Sequence, residues 1–303
     1  MDFVALRSLV VALEAGSISA AAKRLAVSQP AVSQKLAGLE AALGQQLLVR
    51  SRHGVSATPA GEVALQHASR VLLSLAEMQT ALDALRGEVA GRIRVTVNTL
   101  FGQSIMGPLL ADMRSRYPAL RVDILPTDEV LDLEADEVDI AVRGGMAGSG
   151  RGLVRRIATM DSVLIAAPHY LELAGRPTGP GDLARLTYVQ YRDDPEEHAI
   201  AMLHRGEAIS VPVTPAFSAQ HPDLTLHAVL GGVGFAKAPR FFINQRLLDG
   251  EVEEVLPGYA PVPKPLYLVI REHLRDSPNV RAFRGMLVEH LSRLGGFSVN
   301  PDL

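Results

Sequence analysis

The sequence predicts a protein that is α/β overall and built in unlike parts, and three observations carry that expectation. Two short helices joined by a tight turn occupy residues 17–50, apolar residues then recur in steps of four and three from Ala64 to Val89, and from Ile93 onward strand and helix patterns alternate. At 303 residues the chain exceeds what one hydrophobic core usually supports, so two or three domains are expected.

The first element is a helix. Phe3, Leu6, Val10 and Leu13 form a helical stripe, and Asp2 and Glu14 flank it, so the segment reads as a packing helix and not an export signal. Ser17 or Ser19 caps the next helix, whose run Ala20, Ala21, Ala22 lets another helix approach closely. Val27 sits at the turn, Ser28 caps the following helix, and Pro30 falls in its first turn, where a missing N–H costs nothing. Val32, Leu36, Leu39 and Leu43 then make one buried stripe, and Gly44 closes the helix. Gln29, Ser33, Gln34 and Lys35 lie off that stripe at the N-terminal end, the end that enters a major groove. Residues 47–55 form a two-stranded wing whose Arg50, Arg52 and His53 either meet phosphates and a minor groove or are simply solvated. Residues 1–60 thus read as a winged helix-turn-helix.

Thr58-Pro59 opens a long helix. Ala64, Ala68, Val71, Leu75, Met78, Leu82, Leu85 and Val89 trace a 3.5-residue repeat, the mark of a coiled-coil seam. Leu65 and Leu72 beside it leave open a single amphipathic helix lying on its own domain. With a reading head before it, residues 61–90 are expected to be a linker and dimerisation helix.

The head closely resembles the DNA-binding domain of the LysR-type transcriptional regulators. The resemblance rests on Ala21, Ala22, Leu25, Ser28, Gln29, Pro30, Ala31, Val32, Ser33, Leu39, Glu40, Leu43, Gly44, Leu47 and Arg50, and continues through Thr58-Pro59-Ala60-Gly61. Leu48, where the family usually has phenylalanine, is an apolar replacement in the core.

Beyond residue 90, Ile93, Val95 and Val97 alternate with Arg94 and Thr96, a helix runs to about Arg116, and strands follow at 121–125 and 139–143. That is βαβ logic and predicts a largely parallel sheet. A second set runs from Val163 to Pro265, with strands at 163–166, 188–191 and around Phe235 and a helix at 223–230. A strand at 266–270 and a helix at 279–294 close the chain. Residues 91–303 are therefore expected to form a hinged clam, lobe I from 91–162 and 266–303 and lobe II from 163–265. This part resembles the family's effector-binding domain, a two-lobed, periplasmic-binding-protein-like (type II) α/β effector domain. Asp139-Ile140-Ala141-Val142-Arg143 and Gly232-Val233-Gly234-Phe235-Ala236 with Pro239 carry that resemblance most clearly.

The charge is uneven. Residues 1–60 hold six basic groups against three acidic ones, a net of +3, and since the whole chain is −3 the remainder sums to −6. A small basic head on an acidic body suits a protein that meets phosphates at one end. Without cysteine there is no disulfide, thiolate chemistry or thiol switch. The nine histidines give no HExxH and no pair four apart; His198 with His204, and His221 with His227, are six apart, so no metal site is expected. Gly144, Gly145, Gly148, Gly150 and Gly152 lack the lysine and hydroxyl of a phosphate loop, and Ser149 is not in GxSxG. No catalytic constellation and no cofactor is expected, and no apolar stretch is long enough to span a membrane.

In such a clam, ligands lie where strands end and helices begin. Those junctions are Asn98-Thr99-Leu100-Phe101, Thr127-Asp128 and Ser218 to Gln220. By resemblance they match the family's effector pocket, with Arg143 and Tyr191 as further candidates. Thr99 and Ser218 read equally well as N-caps, and Arg143 as a partner of Asp139 or Asp128. Lys237 departs from the family's usual apolar residue in that strand; it either snorkels to the surface or meets a buried acid or an anion such as a carboxylate-bearing metabolite. The expectation is a cytoplasmic, non-enzymatic regulator that binds double-stranded promoter DNA and a small-molecule effector, an anionic one if Lys237 or Arg143 recognises it. The resemblance implies a dimer of dimers, with RNA polymerase a further possible partner. A solute-binding protein would have no use for residues 1–90, and an enzyme with a DNA-binding appendage would turn over a bound molecule.

Overall fold

A computed structural model describes residues 2–51, 54–85, 87–145, 152–191 and 199–300. The chain divides into two compact units, Met1–Gly87 and Glu88–Leu303.

In the first unit, Asp2 caps α1 (Phe3–Glu14) by accepting from the Val4 amide, and Ser17 caps α2 (Ile18–Leu25) by accepting from that of Ala20. Ser28 caps α3 (Gln29–Leu43), with Pro30 in its first turn. Gly44 ends α3 at φ 66°, a left-handed conformation that costs glycine little. Ala5, Leu9, Ala21, Val32, Leu36 and Leu39 close the core between these helices. Leu43 was expected on the buried stripe but stays 38% exposed, because it faces an open groove and not the closed core. It lines an apolar groove of about 420 Å³ shared with Leu6, Val63, Ala64 and Val71.

Strands β1 (Leu48–Ser51) and β2 (Gly54–Ala57) pair antiparallel as the wing. Glu40 Oε1 accepts from the amides of Leu47 and Leu48 at 2.8 and 3.2 Å, so α3 itself sets where the wing begins. The Thr58 hydroxyl donates to the Gln46 carbonyl at 2.6 Å and accepts from the Gly61 amide at 2.9 Å, which starts α4 (Pro59–Leu85). A Cβ on Gly61 would lie 1.9 Å from the Leu47 carbonyl oxygen, so only glycine fits. Along α4, Ala68 is buried, whereas Val71, Leu75, Met78 and Leu82 are 45, 37, 54 and 48% exposed and leave a stripe without intrachain cover.

Among the described residues the second unit holds three sheets. The largest has six strands, β3 (Gly91–Val97), β4 (Leu120–Pro126), β5 (Ile140–Gly144), β6 (Leu153–Met160), β15 (Lys264–Ile270) and β16 (Phe297–Val299), in the order β16-β6-β15-β5-β3-β4. Only β3, β4 and β5 run parallel; β15 is antiparallel to β5 and β6, and β16 to β6. The expected largely parallel sheet is thus half right, because the returning strand enters the middle of the sheet and not its edge. Between β3 and β4 the helix is interrupted: α5 (Thr99–Phe101) passes into a π-helical turn at Gly102–Met106 and then α6 (Gly107–Arg116). Val95, Val97, Leu109, Ile140, Leu268 and Phe283 fill this core, the last from α10 (Pro278–Arg293).

The second sheet comprises β7 (Ser162–Ala166), β8 (Tyr188–Tyr191), β11 (Pro215–Ala219), β12 (Phe235–Pro239) and β13 (Glu253–Glu254), in the order β11-β8-β12-β7-β13. Helices α7 (Pro168–Ala174), α8 (Pro222–Leu230) and α9 (Arg240–Leu248) accompany it. A hairpin absent from the sequence reading, β9 (Ala199–His204) and β10 (Glu207–Pro212), turns at Arg205-Gly206, both at positive φ, and pairs with β14 (Ala260–Pro261). The chain passes from the first sheet to the second at Asp161 and returns to the first from β14, a strand of the three-stranded sheet, between Pro261 and Lys264.

No helix among the described residues is long and apolar enough to cross a membrane, and no group of three or more potential metal ligands occurs among them.

Candidate DNA-reading face and ligand cleft

The N-terminal end of α3 carries the polar residues singled out from sequence. Gln29, Pro30, Gln34 and Lys35 are exposed and Ser33 is half-buried, while Val32 and Leu36 point into the core. Ser28 is occupied as the cap, accepting from the Ala31 amide at 3.4 Å. Gln29 Oε1 accepts from the Ser19 hydroxyl at 3.0 Å, so the two helices of the motif are joined at their exposed ends. Lys35 pairs with Asp2 at 2.7 Å, and that ammonium, with the Val4 amide, lowers the Asp2 carboxyl below its ordinary value. Arg50 is exposed on β1; Arg52 and His53 lie outside the described residues.

In the second unit a cleft of about 120 Å³ opens between the two larger sheets. Five of the expected residues line it: Asn98, Leu100 and Phe101 from the first sheet's side, and Tyr191 and Lys237 from the second's. The others lie elsewhere. Asp128 Oδ1 accepts from the Thr99 amide at 3.0 Å and Asn98 Oδ1 from the Phe101 amide at 2.9 Å, so the amides that start α5 are used within the protein. Thr127 accepts from the Glu129 amide at 3.2 Å, a local turn. Arg143 donates to the carbonyls of Thr127 and Glu129 at 2.9 and 3.1 Å and to the buried Thr96 hydroxyl at 2.9 Å. Burial lowers its pKa, with the Asp128 charge opposing that shift. Arg143 is therefore an anchor for the loop after β4 and not part of the cleft wall. Ser218 and Gln220 are exposed at β11, the edge of the second sheet, and are likewise absent from the wall.

Sequence reasoning missed Met160, Ser162, Tyr188, Pro239, Phe241 and Lys264, which complete much of the wall. Three of these flank the two crossings of the chain, and the crossings themselves were the signal that could have found them. Phe241 stacks on Phe297 with ring centroids 5.1 Å apart, and Phe101 meets both rings edge-on at 6.2 and 6.3 Å. This aromatic cluster ties α9 to α5 and β16 behind the cleft.

The anchor role of Arg143 gives an expected result. Arg143→Met strands the Thr127 and Glu129 carbonyls, leaves the Thr96 hydroxyl its bond to the Leu125 carbonyl, and lowers stability by about 2–3 kcal/mol, read as a falling midpoint in urea. Unchanged stability would return Arg143 to the ligand-binding candidates.

A capped helix pair with a polar reading end, a wing, a long helix and a two-lobed α/β unit with a cleft define a helix-turn-helix protein that carries a ligand-binding domain. The chain matches the model of the bacterial regulatory helix-turn-helix protein, lysR family, over residues 3–62 and that of the LysR substrate binding domain over residues 86–292. It belongs to the LysR family of transcriptional regulators, which join a DNA-binding helix-turn-helix to an effector-binding domain. Among curated relatives it is 29% identical to the HTH-type transcriptional activator AaeR of Escherichia coli K12 over 287 residues, covering 93% of this chain and 92% of the relative. It is 29% identical over 298 residues to the HTH-type transcriptional regulator PtxR of Pseudomonas aeruginosa, covering 95% and 92%. Among solved structures it resembles CrgA, a LysR-type transcriptional regulator from Neisseria meningitidis, at 25% identity and a TM-score of 0.58 over 95% of this chain and 98% of that one. The fold also matches the full-length Vibrio cholerae virulence activator AphB, at 22% identity and a TM-score of 0.60 over 95% and 99%.

Proposed function

We propose that this regulator reads a specific promoter sequence with the N-terminal end of α3 and answers to a small molecule held in the cleft. The observation that carries the first half is the exposed polar end of α3, whose side chains the core does not use. In this reading Gln29, Ser33 and Gln34 meet base edges, Ser28, Pro30 and Lys35 set the helix end against the backbone, and Arg50, Arg52 and His53 meet phosphates from the wing. Asn98, Leu100, Phe101, Tyr191 and Lys237 belong to the ligand site; Thr99, Thr127, Asp128 and Arg143 shape it from behind, and Ser218 and Gln220 drop out. Footprinting on the DNA flanking the gene, across a salt series, tests it: a preferred site with a steep salt slope is the expected outcome, and no preferred site refutes the reading.

The working division is residues 1–60 for reading, 61–90 for dimerisation and 91–303 for the effector, acting in the cytoplasm without catalysis, with RNA polymerase as a downstream partner. Two copies joined along α4, paired again as a dimer of dimers, present heads to repeated half-sites. The uncovered stripe on α4 supports this assembly. Replacing Leu75 and Leu82 together with glutamate therefore weakens self-association by at least about a hundredfold in sedimentation experiments, since each apolar side chain buried in a seam contributes about 1.5–3 kcal/mol. Self-association equal to the wild type would remove α4 from the interface.

A further inference from the structure

The cleft wall carries two ammonium groups from different parts of the second unit. Lys237 stands on β12, in register with Leu164 of β7 in the second sheet. Lys264 is the first residue of β15, in register with Met160 of β6 in the first sheet, where the chain has just crossed back. Both are half-buried, and the described residues of the wall include no carboxylate. Each ammonium has three N–H donors, so a lysine that holds an acceptor of the protein still has donors for a ligand.

The remaining wall is mostly apolar, from Leu100, Phe101, Met160, Phe241 and Leu266, and the space is small, about 120 Å³. Phosphate esters suit this cleft poorly. The amides of Thr99 and Phe101 at the start of α5 are already engaged by Asp128 and Asn98, and the Arg143 fork is turned onto its own loop. Anion recognition then falls to the two lysines, and everything else in the wall favours a short hydrocarbon or ring.

We infer that the ligand is a compact carboxylate with an apolar body, its carboxylate bridging Lys237 and Lys264 and its body lying against Phe101 and Phe241. The inference rests on the cleft being the effector site. Because the two cations come from different sheets, the carboxylate draws the sheets together, and a neutral isostere fills the same space without that pull. A ligand that binds one arrangement of the two sheets better than another shifts the protein toward it.

The experiment uses the full-length protein and three probe acids, benzoate, cyclohexanecarboxylate and hexanoate, each beside its amide, with inorganic phosphate as the anion control. Thermal shifts and titration calorimetry give apparent Kd values. At least one acid is expected to bind about tenfold or more tightly than its amide, and Lys264→Met and Lys237→Met each to weaken that acid by a similar factor. Lys264→Gln and Lys237→Gln repeat the test with a polar side chain, and melting without ligand establishes that each variant folds. The proposal is overturned if no acid binds, if acid and amide bind alike, if phosphate matches the acids, or if folded lysine variants bind the acid as well as the wild type does. The wild-type footprint in the same buffer separates the two readings. Absence of any preferred DNA site removes the regulator reading and leaves an acid-over-amide preference standing, whereas a specific footprint without that preference removes the carboxylate proposal alone.

Discussion

A Gln29→Ala, Ser33→Ala double variant loses its specific footprint on the DNA flanking the gene and retains only weak, sequence-indifferent binding. Each good base contact in a major groove contributes about 1–3 kcal/mol of discrimination, so losing two lowers the preference for the cognate site by about a hundredfold or more. The head should remain folded, because its core is closed by Leu9, Val32, Leu36 and Leu39, and neither substituted side chain belongs to it. Among the described residues the internal bond given up is the exposed contact from Ser19 to Gln29. Arg50→Ala is the contrasting case. A wing residue that meets phosphate keeps the preferred site but lowers the slope of log K against log salt by about one. A double variant that protects the same bases as the wild type would show that α3 does not read them.

Gly61→Ala unfolds the head, although it adds a single methyl group. That methyl would sit 1.9 Å from the Leu47 carbonyl oxygen, and neither partner is free to retreat. The same oxygen accepts from the Thr58 amide at 2.9 Å, while the Thr58 hydroxyl is tied to Gln46 and to Gly61 itself. Relief of the clash breaks the hydrogen bonds that start α4 and shifts Leu47, which is buried at 2% exposure. A loss of about 3 kcal/mol or more follows, a large part of the stability of a small domain. Circular dichroism should show an early-melting transition, with DNA binding lost, ahead of a transition from the second unit at its wild-type temperature. Gly38→Ala is the control: nothing lies within 4 Å of a Cβ there, and in a helix interior the change stabilises by about 0.5–1 kcal/mol. Equal melting of Gly61→Ala and wild type would refute the steric argument.

The head was legible because its determinants are local. Ser17, Ser28, Gly44 and Thr58 act on amides and carbonyls a few residues away, and the stripe of α3 is a periodicity within one helix. Even so, Leu43 fell outside the core, since periodicity shows which face is apolar and not what packs over it. The second unit was legible strand by strand but not in its order. β15 lies between β5 and β6, which precede it by about a hundred residues, and no local pattern announces an antiparallel insertion. The cleft suffered most. Its wall draws on six separate stretches, so a rule about strand ends found Asn98 to Phe101 and missed Lys264 and Ser162, while Arg143 had every chemical qualification but faced its own loop.

The two places where the chain crosses between sheets are neighbours: Met160, the last residue of one crossing strand, is paired in register with Lys264, the first of the other. Two separate tethers would let the sheets slide, tilt and swing independently. Here the strand that leaves the first sheet and the strand that re-enters it are neighbours in one ladder of that sheet, so both connections start side by side. Asp161 stiffens the same spot, its amide donating to the Gly296 carbonyl and its carbonyl accepting from the Arg240 amide, both at 2.9 Å. The two connections between the sheets thus arise at one spot, and the side chain at residue 264 stands beside it.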